Sequence, residues 1–370
     1  MIYMKVNSVT VKSYRNLSNQ TVVLNSGLNV FWGDNAQGKT NLLESVYLCC
    51  IGKSSRTEKD KDLIAWKQSV AHVKTNYSCR FGEGEIAIGI AGNKKHVSVN
   101  SVPISKLGDL LGYLNCIYFA PSDIKIVSQS PAERRRFLDV DLCQMDKTYF
   151  HSLGRFNKAL AQRNNLLKQG HEPDKLKDLI FAWDEQLVRE GARIVAKRKE
   201  FCQKLKVFAT QSHSKLTDGK ESLVMEYLTQ IEGSTLTELE QSYAKLLEES
   251  FDKDCQLRYT TSGCQRDDIL LKIGNVDVRS FGSQGQQRST ALALKLAELE
   301  IFNQINGEYP VLLLDDVLSE LDYNRQKQLL CFAKHTQVLL TTACPIETEL
   351  PEGVQATFFR LQNGLVTLQK

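Results

Sequence analysis

The feature that most constrains this chain is the distance between the two halves of one phosphate site. Gly33-Asp34-Asn35-Ala36-Gln37-Gly38-Lys39-Thr40 reads G-x-x-x-x-G-K-[ST]. Glycines at those positions let backbone N–H groups wrap phosphates, and the following helix turns its positive end toward them. Lys39 then reaches the β/γ oxygens, and the Thr40 hydroxyl ligates Mg²⁺. The string follows a strand pattern, Leu28-Asn29-Val30-Phe31-Trp32, and opens a helical stripe through Leu42, Leu43, Val46, Tyr47 and Cys50. Far downstream, Val311 to Leu314 is an apolar strand ending in Asp315-Asp316. A buried strand that stops in two carboxylates needs positive charge at its tip. Asp315 is therefore expected to hold Mg²⁺, and Asp316 to orient or deprotonate the attacking water. Lys39 and Asp315 stand 276 positions apart, too far for a compact nucleotide kinase or small GTPase, so a whole domain lies between them.

Composition sets the outer bounds. With 42% hydrophobic and 24% charged residues over 370 positions, the chain can bury a core and is not a disordered polymer. Forty-seven Lys+Arg against 43 Asp+Glu leave a net charge of +4, so any basic face must be local. No run of 18 apolar residues spans a membrane, and no signal-like apolar block accompanies Lys5, Lys12 and Arg15. The ten cysteines include no C-x-x-C, which favours a reducing, cytoplasmic setting over a disulfide scaffold.

The pattern along the chain predicts an α/β ATPase head split in sequence, with accessory antiparallel strands and an inserted helical lobe. Residues 1–124 read as the first part of the head. Strands are expected at Val6 to Val11, Thr21 to Leu24 and Leu28 to Trp32, and an accessory antiparallel sheet of Val73 to Phe81, Ile86 to Ile90, Val97 to Val102 and Cys116 to Phe119. Residues 125–254 read as the lobe. One helix is expected over Ala132 to Lys168, a turn at Gln169-Gly170-His171-Glu172-Pro173, and a long helix carrying Leu176, Ile180, Trp183, Leu187, Ile194, Phe201, Leu205 and Phe208 on one face. Residues 255–370 return to the head, with strands from about Cys255 and an amphipathic helix through Leu292, Leu296 and Leu299.

Just before that helix lies Phe281-Gly282-Ser283-Gln284-Gly285-Gln286-Gln287-Arg288-Ser289. A Ser/Gly-rich segment opening a helix is a second anion-binding N-terminus. One polypeptide with two phosphate sites and a single P-loop suggests composite sites formed between two copies.

These motifs resemble the ABC-type ATPase heads of SMC and Rad50 proteins and, within that group, the RecF family of bacterial recombination mediators. The resemblance covers essentially the whole chain: Lys12 to Leu17, Gly27 to Glu44, Ser54 to Trp66, Pro131 to Asp139, Leu160 to Lys168, Ser280 to Glu298 and Leu312 to Asp322. It implies that Ser283 and Gly285, with Gln286 beside them, contact the nucleotide bound by the other protomer's P-loop. It also makes Ser319-Glu320-Leu321-Asp322 a D-loop at the dimer interface. The implied activity is a slow DNA-dependent ATPase whose ATP-closed homodimer clamps DNA at single-strand/double-strand junctions. It helps RecO and RecR load the recombinase and is linked to the SOS response. Three departures stand out: Pro121-Ser122-Asp123 where related ATPases place a glutamine, Thr341-Thr342 in place of a switch histidine, and Gly263-Cys264-Gln265-Arg266-Asp267-Asp268 without the family's histidine.

Candidate DNA contacts are Arg134-Arg135-Arg136, Lys94-Lys95, Lys197-Arg198-Lys199 and the Arg56-Lys59-Lys61 cluster. Each also reads as an ordinary solvated face. No aromatic stacking platform is evident, so little base preference is expected. The rival readings are a Rad50/SMC-type tether, for which the helical insert is far too short, and a transporter motor subunit, from which the helical hairpin and the triple arginine point away.

Overall fold

The computed structural model describes residues 4–170, 172–345 and 349–369; His171 of the expected turn lies outside them. The chain folds as two compact units, Met1–Asp123 with Lys295–Lys370, and Ile124–Leu294.

The first unit holds two six-stranded sheets. One runs in the order Leu365–Leu368, Ala356–Gln362, Leu28–Trp32, Val338–Thr342, Val311–Asp315, Cys116–Phe119, parallel throughout except for its first strand. Its central strands are apolar runs with both faces covered, as parallel strands must be; Val311–Asp315 is buried at every position. The other sheet is antiparallel, in the order Gln20–Val23, Lys5–Lys12, Val70–Cys79, Gly82–Ala91, Lys94–Val99, Val102–Ile104. Its residues alternate, with Val9, Val11, Val73, Ile86 and Ile88 in the core and polar side chains opposite. The helix Lys39–Ile51 packs against strands of both sheets.

That placement corrects the expected amphipathic stripe. Leu42 through Cys50 are all buried, because a helix between two sheets has no solvent face. Each fully buried Leu or Val there contributes about 1.5–3 kcal/mol. A second correction concerns Cys116–Phe119. Expected in the accessory antiparallel sheet, it instead forms the parallel edge of the core sheet, with Leu313 opposite Tyr118. The expected strand from Val97 to Val102 is two strands, reversed at Asn100-Ser101, where both residues take positive φ.

In the second unit the expected single helix over Ala132 to Lys168 is two, Pro131–Met145 and Lys147–Gln169. Asp146 breaks them, its side chain accepting from the amides of Thr148 and Tyr149 as an N-cap. The long helix extends over Pro173–Leu216, 44 residues and about 66 Å at ~1.5 Å each. Strands do not resume at Cys255, which lies within the helix Leu236–Leu257. They resume at Asp268–Ile273, which pairs with Leu223–Leu228 and Val276–Asp277 in a small sheet of this unit. The residues from 255 to 294 thus belong to the compact unit of the lobe, whereas the sequence pattern assigns them to the head. The helix Gln284–Asn306 is likewise not amphipathic in its middle: Ala291 through Leu294 and Leu296, Ala297, Glu298 and Leu299 are buried.

Candidate functional site

A pocket of about 350 Å³ opens at the carboxyl end of the parallel sheet. It is lined by Asn16, Asn35, Ala36, Gly38, Lys39, Thr40, Asn41, Arg56, Asp315, Asp316 and Thr341. Crevices at this end of open α/β sheets are where ligands bind, because helix N-termini and loop amides converge there.

The phosphate loop is held by close approach. A Cβ on Gly33, at φ 152°, would sit 2.3 Å from the Leu361 carbonyl oxygen. One on Gly38, at φ 107°, would meet Leu17 and Asn16 within 3 Å. Only glycine fits both positions. The helix that follows has no side-chain cap and no acidic residue in its first turn. By contrast, Asp146, Thr235 and Asp322 cap the helices they precede. An uncapped N-terminus leaves its amides and positive dipole end for an anion.

Lys39 folds back on the loop: its Nζ donates to the carbonyl oxygens of Gly33 and, at 2.8 Å, of Asp34. Burial lowers its pKa, and this outweighs the attraction of Asp316, Asp34 and Asp315. Gln37 faces elsewhere, its Oε1 accepting from the Asn363 amide at 2.6 Å.

Thr40 and Asp315 meet. Thr40 Oγ1 donates to Asp315 Oδ1 at 2.9 Å, bringing together the two oxygens that the sequence assigns to Mg²⁺. Asp315 is otherwise surrounded by hydroxyls. Thr341 Oγ1 donates to Oδ1 at 2.7 Å, and Tyr118 OH to Oδ2 at 2.8 Å. Burial first, and then Asp315, push the Tyr118 phenol well above its ordinary pKa, so it stays a donor. Thr341 also accepts from the Asp316 amide at 3.0 Å. Asp316 sits at φ 54°, and its buried Oδ1 has no hydrogen-bond partner. Burial raises its pKa; Lys39 opposes the shift and Asp315 adds to it. A hydroxyl, two neighbouring carboxylates and an orphaned carboxylate oxygen form a hard-oxygen donor set of the kind Mg²⁺ takes.

Sequence reasoning misses Tyr118, and it gives Thr341 no contact with Asp315. Register is the missing signal. Thr341 stands opposite Asp315 and Tyr118 opposite Leu313, so both side chains flank the acid from neighbouring strands. Glu44 likewise has no role legible from its motif. Fully buried, it accepts from Arg15 Nε and Nη2 at 3.0 and 2.8 Å and from Ser54 Oγ at 2.5 Å. These bonds anchor the loop that carries Arg56 to the pocket, where Arg56 donates to Asn41, Asn41 to Asn16, and Asn16 to the Ala36 carbonyl.

Ser283, Gly285 and Gln286 lie in the other compact unit. Ser283 and Gln286 form a reciprocal cap: the Ser283 amide donates to Gln286 Oε1 at 2.9 Å, and the Gln286 amide to Ser283 Oγ at 3.2 Å. Gln286 Nε2 donates to Glu221 at 2.9 Å. Ser283 and Gly285 are exposed, and a Cβ on Gly285 would meet nothing closer than 3.9 Å.

The basic clusters are largely spent on the fold. Arg134 is buried, paired with Asp268 at 2.5 Å and donating to the carbonyls of Ile126 and Gln129. Arg135 donates to the Asp267 carbonyl. Lys197 pairs with Asp146; Arg198 is buried between Asp139 and Asp267; Lys199 donates to the carbonyls of Ile231 and Gly233. Lys95 pairs with Asp60 at 2.7 Å. These contacts hold Arg134, Arg135, Lys197, Arg198, Lys199 and Lys95, whereas Arg136, Lys94, Lys59 and Lys61 of the same clusters are exposed.

Known proteins resemble this chain along its length. The family model described as an AAA domain matches residues 8–254. A DNA replication and repair protein RecF of Clostridium novyi (strain NT) is 40% identical over 364 residues, covering 98% of this chain and 99% of that protein. One of Clostridium botulinum (strain Okra / Type B1) is 43% identical over 365 residues, with the same coverage. A solved structure of the recombination mediator protein RecF with ATP, from the RecFOR pathway, superposes with a TM-score of 0.90 at 34% identity, covering 100% of this chain and 98% of that one. The Smc head domain of Pyrococcus furiosus matches at a TM-score of 0.57 and 16% identity, over 99% of this chain and 96% of that one, and shares the fold.

Proposed function

The chain belongs to the RecF family of DNA replication and repair proteins, and on that premise we infer that it is a slow, DNA-stimulated ATPase whose ATP-bound form pairs with a second copy around DNA. The observation that carries this reading is the meeting of Lys39, Thr40, Asp315 and Asp316 in one pocket beneath an uncapped helix N-terminus.

The chemistry follows from the side chains. Loop amides and the helix end hold the β- and γ-phosphates, and Lys39 leaves its carbonyls to neutralise charge that builds on them. Thr40 and Asp315 would hold Mg²⁺, which supplies further charge neutralisation. Asp316, with a raised pKa and an unpartnered oxygen, accepts the proton of the attacking water or orients it. Its short side chain accords with slow turnover.

Ser283 and Gly285 act on a nucleotide held by the second copy. An exposed helix start, with its serine free to exchange the Gln286 amide for a phosphate oxygen, rewards only a nucleotide that still carries its third phosphate. ATP therefore closes the dimer and hydrolysis loosens it. By the same family reasoning, DNA is engaged at single-strand/double-strand junctions through its backbone, RecO and RecR are the accessory partners, and the SOS response is the setting. Sedimentation of the wild type, Lys39→Met and Ser283→Arg with and without ATP tests the core of the reading. ATP-dependent dimers in the wild type alone support it; equal dimerisation of all three removes it.

A further inference from the structure

The antiparallel sheet of the first unit has one face in the core and one in solvent, and the solvent face is not uniform. A trough of about 680 Å³ lies on it, lined by Lys12, His72, Lys74, Lys95 and His96 among small and apolar residues, with no carboxylate in the lining. Strand register explains its shape. Lys12 is opposite His72, His72 opposite Gly89, and Gly89 opposite His96, so the four form one row across four strands. The adjoining row is Thr10, Lys74, Ala87, Ser98 and Pro103. Small residues floor the trough, and cationic or N–H-bearing side chains stand along it.

The charges in this trough are not all equal. Lys74 is paired with Glu85, while Lys95, in register with the buried Ile90, takes the opposite face from His96 and meets Asp60 and the Gly52 carbonyl there. Lys12, His72 and His96 are exposed and have no hydrogen-bond or ion-pair partner among the described residues. Elsewhere, Arg134, Arg198 and Lys199 are consumed internally. Gly89 makes room in the row: a Cβ there would lie 3.4 Å from His72 Nδ1, so the His72 ring packs over the glycine.

We propose that the row Lys12–His72–Gly89–His96 is a seat for the phosphate backbone of DNA, one strand of which crosses the sheet along this row. The inference rests on the reading of the chain as a DNA-binding protein and deepens it by assigning contact residues. Strand spacing of ~4.8 Å puts Lys12 and His96 about 14 Å apart. With successive phosphates of one strand roughly 7 Å apart along the backbone, that spans about three phosphates. Lys12 supplies the charge, the imidazole N–H groups supply hydrogen bonds, and nothing in the row reads base edges.

The test is duplex binding by the full chain with ATP, at several salt concentrations, for the wild type, Lys12→Glu/His96→Glu, Gly89→Asp and Lys12→Arg. The first two variants are expected to weaken binding of a mixed-sequence duplex about tenfold or more. The double variant also flattens the log–log salt dependence by about one, the loss of roughly one phosphate contact. Lys12→Arg retains wild-type binding. None of these residues belongs to the nucleotide pocket, so ATP binding and ATP-dependent dimerisation stay unchanged and report that the variants fold. Wild-type affinity and salt slope in both acidic variants would overturn the proposal. If those variants instead lose a polyglutamate probe while keeping duplex, the face belongs to an acidic protein segment and the proposal is likewise overturned. A wild type that binds no duplex at all would sink the DNA reading itself.

Discussion

In the arginine networks of the helical unit and at the acid pair of the head unit, buried charge is handled differently. In the helical one, Arg198 donates to Tyr149, Asp139, Asp267 and the Cys264 carbonyl, and Arg163 lies between Asp184 and Asp254. Each of these cations is matched by carboxylates from other elements. In the head, Asp315 and Asp316 share one nearby lysine whose ammonium is turned to carbonyls, and Asp316 keeps an unpartnered oxygen. Matched burial fixes structure, while mismatched burial stores a demand for a ligand.

The difference can be broken by substitution. Removing a matched group has the largest effect on folding: Arg198→Ala leaves Asp139 and Asp267 uncompensated, at an expected cost of about 3–5 kcal/mol by denaturant unfolding. Asp316→Asn should do the reverse. ATP hydrolysis falls about a hundredfold or more while the unfolding midpoint holds or rises, since the orphaned carboxylate is gone. A parental rate in Asp316→Asn would discard its role with water. Tyr118→Phe removes one hydrogen bond to a charged acceptor and should lower stability by about 1.5–3 kcal/mol, with fold and nucleotide pocket otherwise intact by circular dichroism and ATP binding.

Acidity sharpens the contrast with smaller shifts. Asp316 has a raised pKa in the fold, so its contribution to stability is present at low pH and lost as pH rises through the folded value. The stability gain of Asp316→Asn over wild type should therefore grow from acid toward neutral. Glu190 behaves oppositely. Burial would raise its pKa, but hydrogen bonds from Arg155 and Ser152 and the charges of Arg155 and Arg193 bring it below the ordinary range. Its contribution is present above the unfolded pKa and lost as pH falls through the lowered one, so Glu190→Gln should narrow its gap from wild type on acidification. Unfolding midpoints across pH measure both.

What is legible in the sequence follows the same division. Lys39, Thr40 and the Asp315-Asp316 pair announce themselves because local backbone chemistry demands glycine, a helix start and a strand tip. The fate of the basic clusters is not legible, because Arg134 finds Asp268 134 positions away and Arg198 finds Asp267 69 positions away. Likewise Cys116–Phe119 has the alternation of any short strand, and only pairing with Val311–Asp315 makes it parallel. The helices around Leu43 and Leu294 look one-sided by spacing but are covered all round, which apolar periodicity does not distinguish.

The self-bonded Lys39 sets a threshold for ligands. Because its ammonium already bonds to two carbonyls of its own loop, capture of a nucleotide is an exchange of partners and not a simple addition. Each charge-assisted bond given up is worth about 1.5–3 kcal/mol, so a ligand must return at least as much to draw the lysine away. On that exchange, a nucleotide too short to reach the ammonium would leave the loop clasped on itself.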